Sequence, residues 1–129
     1  MRTKNFTIEE VIHSPIDRFP KDLLPIAYYV LGKMQTIRDY LATPIIITSG
    51  YRSAEHNEEI GGAKNSRHIW RFSETQQPIW AVDCHSPDMD TRELYRYIKE
   101  MISGEVYYHS IKEFVHLSDS SPIKEPWIL

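Results

Sequence analysis

The chain of 129 residues has a single cysteine, Cys84, so no internal disulfide can form and stability cannot depend on an oxidising compartment. It has no surplus of positive charge. Its 15 Lys+Arg stand against 18 Asp+Glu, a formal -3 with a pI near 6.0, which lacks the footprint that neutralises many phosphates, so nucleic acid is not an expected partner. Long apolar runs are missing too: the longest, Leu23 to Leu31, is broken by Pro25 and is far below the ~20 residues that span a bilayer, so membrane insertion is not expected. The opening Met1-Arg2-Thr3-Lys4-Asn5-Phe6 runs straight to Glu9-Glu10 without the apolar core of a secretory signal; the expectation is cytoplasmic synthesis. Neither an internal repeat nor a low-complexity stretch nor a linker divides the chain, which reads as one domain over residues 1–129, and no motif bears on oligomeric state. What is present is ordinary for a globular protein, 41% hydrophobic and 26% charged residues. A domain of this size buries roughly two thirds of its unfolded surface and needs no staples.

Thr7 and Glu10 form a capping box with Phe6 and Val11 as a hydrophobic staple, which predicts a helix from Ile8 to His13. Ile26, Val30, Met34, Ile37 and Leu41 recur at helical spacing and predict a long amphipathic helix that Thr43-Pro44 ends. The β-branched run Ile45-Ile46-Ile47-Thr48 reads as a buried strand delivering Tyr51 and Arg52 to a loop. Ser53 caps a short helix over Ala54 to Ile60, stopped by Gly61-Gly62. Gly61 to Pro78 shows no period. Ile79 to Cys84 alternates as a strand, and Asp90 with Glu93 opens an amphipathic helix through Leu94, Tyr97, Ile98, Met101 and Ile102 that Gly104 stops. Val106 to Tyr108 and Phe114 to Leu117 read as two strands, and residues 118–129 as an irregular tail.

Among six histidines, several acids and one thiol, His68, Asp83 and His116 stand out. His68 lies in the loop Gly61-Gly62-Ala63-Lys64-Asn65-Ser66-Arg67-His68, whose small residues permit close backbone approach, and the other two fall at or near strand ends, where functional groups are often displayed. Two imidazoles and a carboxylate can hold zinc and leave a fourth position open, as a catalytic site requires. Each of the three, taken singly, also reads as an ordinary hydrogen-bonded group. Cys84 and His85 adjoin Asp83; on a strand Cys84 turns away and His85 returns to the Asp83 face, which makes His85 the reserve candidate. His13, His56 and His109 receive no role.

The ordered segment Thr48-Ser49-Gly50-Tyr51-Arg52-Ser53, Asn57, Ile60-Gly61-Gly62-Ala63, Ser66 and His68 resembles the signature of the zinc D-alanyl-D-alanine carboxypeptidases. These group with lysostaphin-type peptidases, vancomycin-resistance dipeptidases and the hedgehog signalling domain. The likeness extends to Ala81-Val82-Asp83 and Phe114-Val115-His116, covers roughly Phe6 to His116, and is nearest in flavour to small phage-type endolysins. It implies an α+β fold, a small antiparallel sheet flanked by helices, with zinc held by His68, Asp83 and His116. It also implies Glu113 as general base and Arg52 as the group that holds substrate or polarises its carbonyl. Three positions before a ligand on an extended segment, Glu113 would face away, so its role requires a bend. Ser66 and Tyr51 are candidates for substrate contact or local support.

The chain departs from that pattern twice. Fourteen residues separate His68 from Asp83, against about six in the resembling enzymes, so the segment around Trp70 to Pro78 reads as an inserted loop whose aromatics pack onto the core. Ser118 stands where an acid is more usual. The function implied is zinc-dependent hydrolysis of a peptide bond, one involving a D-amino acid, in peptidoglycan stem peptides, with access to the wall by lysis or by delivery in a phage particle. The competing reading is a non-catalytic peptidoglycan- or protein-binding module, or a virion component, that retains the fold.

Overall fold

Thr7 opens the first helix, α1 (Ile8–Ile12), by accepting from the Glu10 amide at 3.2 Å while the Glu10 carboxylate accepts from the Thr7 amide at 3.1 Å, closing the expected capping box. Phe6 and Val11 are buried, as a staple demands. The helix ends one residue early, because His13 takes a left-handed φ of 56° and its ring nitrogen Nε2 donates to the Ile47 carbonyl at 2.9 Å. His13, given no role above, thus ties α1 to the first strand. The computed structural model describes residues 2–119.

After two one-turn 3-10 segments comes α2 (Leu24–Leu41), whose Ile26, Val30, Met34 and Ile37 are fully buried, as their spacing predicts. Strand β1 (Ile46–Ser49) follows, then α3 (Ala54–Glu59), where the Ser53 hydroxyl caps the helix by accepting from the His56 amide. The segment read as an inserted loop is a small antiparallel hairpin of β2 (Arg71–Phe72) and β3 (Pro78–Ile79). Trp70 and Trp80, at its two feet, are buried, and the Trp70 indole N–H donates to the Ala81 carbonyl at 3.1 Å. The strand expected over Ile79 to Cys84 is therefore split. Ile79 pairs with Arg71 in the hairpin, whereas β4 (Val82–His85) pairs with a different strand, and one chain cannot stay in both ladders.

Asp90 caps α4 (Thr91–Met101) by accepting from the Arg92 and Glu93 amides. Leu94 and Ile98 are buried under it, but Tyr97, read as part of the apolar face, is 40% exposed and points outward. β5 (Gly104–His109) and β6 (Phe114–Asp119) complete a four-stranded sheet of order β1-β4-β6-β5, antiparallel at every pairing, so the architecture is α+β. Ser118 and Asp119, assigned above to the irregular tail, are the last residues of β6, where they pair with Glu105 and Gly104; the rest of that tail lies outside the described residues. Ile47, Val82, Cys84, Val115 and Leu117 turn one face of the sheet into the core, against which α1 and α4 pack with α2 behind them. Alternation puts Asp83 and His116 on the other face.

Candidate metal centre

Three backbone arrangements place the three candidates. Asp83 and His116 sit directly opposite each other on β4 and β6, at the middle of the sheet. His68 arrives from the loop after α3, held by a hydrogen bond from its amide to the Ser66 hydroxyl at 3.2 Å and by the Arg52 amide, which donates to the His68 carbonyl at 2.7 Å. Its Nδ1 donates to the Gly50 carbonyl at 2.8 Å. Gly50 can bring that carbonyl in only because it has no side chain: a Cβ there would fall on the Val11 carbonyl oxygen of α1. The core helix thus sets the position of the first histidine.

The three side chains are buried, and their ligand atoms all lie within 4.8 Å of one another. His68 Nε2 is 3.2 Å and His116 Nδ1 2.9 Å from Asp83 Oδ1. Each outer nitrogen faces an acceptor. A carbonyl only accepts, so His68 carries its proton on Nδ1 toward Gly50, while His116 Nε2 lies 2.6 Å from Glu105 Oε1, an acceptor within hydrogen-bond distance. With the His116 proton on Nε2, each neutral ring aims a lone pair at a carboxylate that also offers lone pairs. Such a knot of acceptors out of water is costly unless a cation sits among them or extra protons occupy the gaps. Two nitrogens and one oxygen, with their second nitrogens hydrogen-bonded, suit zinc with an open fourth position. Where protons rather than a cation fill those gaps, hydrogen bonds from His116 and His68, with their charges, outweigh the burial that alone would raise the Asp83 pKa and hold it down at about 2.

Two clefts meet at this cluster, and Arg52, Asp83 and Phe114 line both. One, of about 450 Å³, holds His68, His116, Glu105 and Tyr107; the other, of about 620 Å³, holds His85, Lys112 and Glu113. Arg52 is fixed at their junction, its guanidinium donating to the Asn57 side chain at 3.3 Å and to the Ser49 hydroxyl at 3.2 Å. Glu113 occupies the tight turn before β6 with a left-handed φ of 54°. The bend anticipated from the sequence exists, yet the carboxylate accepts from the Tyr108 hydroxyl at 2.9 Å. Tyr107 is on the His116 face, so Tyr108 points to the reverse of the sheet, toward Tyr95 and Arg92 of α4. Glu113 borders the cleft but is not among the groups that converge.

His85 also lines the larger cleft and stays outside the converging group among the described residues. Cys84 is wholly buried on the core face, where burial, reinforced by the Asp83 charge, pushes its thiol up to about 12, so it is not a competing ligand. Ser66 serves as the local cap of His68, and Tyr51 packs edge-on against Phe19 and Trp70. Sequence reasoning missed Glu105, the Gly50 carbonyl and Tyr107, whose ring stacks on His116 at 4.3 Å and 11°. Glu105 and Tyr107 share the His116 face through the β5–β6 register, a signal that the strand pattern alone does not carry. The peptidase M15 family matches the chain over residues 4–118, from the segment before α1 to the end of the sheet. No curated protein and no solved structure matches it.

Proposed function

Because the chain belongs to the peptidase M15 family, whose members are zinc-dependent peptidases, we propose that it hydrolyses an amide bond next to a D-amino acid in peptidoglycan stem peptides. The observation that carries this reading is the convergence of His68 Nε2, Asp83 Oδ1 and His116 Nδ1, with both outer ring nitrogens within hydrogen-bond distance of an acceptor elsewhere. These three side chains would hold the zinc. Bound there, zinc supplies Lewis-acid polarisation of the scissile carbonyl and of the attacking water. The two clefts share Arg52, Asp83 and Phe114, so an extended peptide lying in both would cross the cluster at Arg52. Its guanidinium hydrogen-bonds the carbonyl oxygen as negative charge develops on it. Glu113 takes the proton of the attacking water and returns it to the leaving amine, a double use that one well-placed carboxylate can serve. To do so, it exchanges the Tyr108 hydroxyl for the cleft.

The engagement of Glu113 with Tyr108 favours a second reading, a peptidoglycan-binding module that keeps the metal and lacks turnover. One experiment separates the two: zinc stoichiometry and muropeptide release from purified peptidoglycan, and cleavage of a D-Ala-D-Ala peptide, for the native chain, His68→Ala and Glu113→Ala. The native chain should release product. His68→Ala should lose the metal, and Glu113→Ala should keep it with turnover reduced by ~10²-fold or more. A native chain that binds zinc but releases nothing would overturn the hydrolase reading in favour of the second; full activity in both variants would refute the site assignment.

A further inference from the structure

His116 lies between two carboxylates. Asp83 Oδ1 is 2.9 Å from its Nδ1, and Glu105 Oε1 is 2.6 Å from its Nε2. A neutral imidazole carries one proton, so the two acids compete for it. If the proton is on Nδ1, the ring donates to Asp83 and has no lone pair to offer toward His68 and Asp83; if it is on Nε2, the ring donates to Glu105 and Nδ1 is free to ligate. We infer that Glu105 is the positioning residue that keeps His116 in the ligating tautomer. This deepens the metal-site reading above and rests on it.

The fold builds this contact deliberately. Glu105 sits on β5 directly opposite Ser118, two residues beyond His116 on β6, so it shares the His116 face. Tyr107, directly opposite His116, stacks on the ring and fixes its plane, leaving Glu105 to fix its proton. The Ser118 hydroxyl is buried and makes no hydrogen bond, so nothing from β6 competes for Nε2 at that position. The second Glu105 oxygen lies 3.8 Å from Arg67 Nε, next to His68 in sequence. One side chain thereby links both histidine-bearing segments.

Zinc affinity, measured by competition with a chromophoric chelator, and the imidazole 15N spectrum of the metal-free chain test this on the native protein, Glu105→Ala and Glu105→Gln. Removing the acceptor should weaken zinc by ~10–100-fold. His116 in Glu105→Ala should move to the Nδ1-protonated tautomer, which a merely structural role would not cause. Glu105→Gln keeps a carbonyl acceptor at the same reach, so it should lose less affinity and keep the native tautomer. Zinc binding within twofold of native in both variants, or an unchanged Nε2-protonated His116 in Glu105→Ala, would overturn the inference. If the native chain itself takes up no zinc, the metal-site reading fails instead, and the tautomer of the metal-free Glu105→Ala chain still decides the role of Glu105.

Discussion

If His68, Asp83 and His116 hold zinc, the metal must stabilise the folded chain, and the size of the effect can be worked out. A ligand that binds only the folded state at a hundred times its dissociation constant adds ~2.7 kcal/mol. Unfolding entropy of ~2.1 cal/mol/K per residue gives ~0.27 kcal/mol/K for a chain of 129 residues. The thermal midpoint should therefore rise by ~10 °C. The six histidines of the unfolded chain hold some zinc and trim that figure. His68→Ala controls for them, because it keeps five histidines and loses one of the three converging ligand atoms. Scanning calorimetry of the metal-free chain with and without zinc should show the shift in the native protein and not in His68→Ala. Magnesium, which prefers oxygen donors, should give no comparable shift. The reasoning is refuted if zinc moves the native midpoint by less than ~2 °C, or moves the two proteins equally.

In the metal-free chain the Asp83 carboxyl, held at about 2 against an ordinary 3.8, contributes stability that is complete above pH ~4 and is lost as pH falls through ~2, in all about 2 kcal/mol. Urea melts from pH 5 to pH 2 should show the gap between the native chain and Asp83→Asn closing by about that amount; a gap independent of pH would contradict the depressed carboxyl. Replacing Ser73–Gln77 with Asn-Gly, which suits a two-residue turn between the paired Phe72 and Pro78, should leave zinc affinity within twofold of native, whereas Trp70→Ala should cost ~3–5 kcal/mol in urea melts. Loss of zinc on shortening the turn would mean that the hairpin tip, not its feet, positions the ligands.

What could be read from the sequence is what depends on neighbours along the chain. The capping box at Thr7, the spacing of Ile26 through Leu41 and the β-branched run before Ser49 each specify an element locally, and each element formed within one or two residues of expectation. His68, Asp83 and His116, which the fold brings together, stood out as candidates because the residues around them form an ordered motif. The hairpin β2–β3 was not: two-residue strands have no period to detect, and they form only because Trp70 and Trp80 anchor their feet in the core. Glu105 was not legible either, since its role depends on which residue of β5 falls opposite Ser118, and register is a long-range property. Glu113 shows the opposite limit. Its place in the turn was foreseeable, but its engagement with Tyr108 follows from the side on which β5 presents two consecutive tyrosines.

The stretched interval between the first two ligands matters less than its length suggests. Lengthening a connection from about six to fourteen residues adds less than ~1 kcal/mol of closure entropy. Against this stands the burial of Trp70 and Trp80, each worth ~2 kcal/mol or more by the area removed from water, together with the indole hydrogen bond to Ala81. That bond joins the chain two residues after His68 to the chain two residues before Asp83, so the hairpin is closed off below the site and the ligands see a short tether. From Ala81 the backbone enters β4, whose pairing with β6 sets Asp83 against His116 whatever the hairpin does. The added segment is carried by the core rather than by the metal centre. The β5–β6 side of the smaller cleft, where Tyr107 and Glu105 stand around the second histidine, is therefore set by strand register and not by the inserted hairpin.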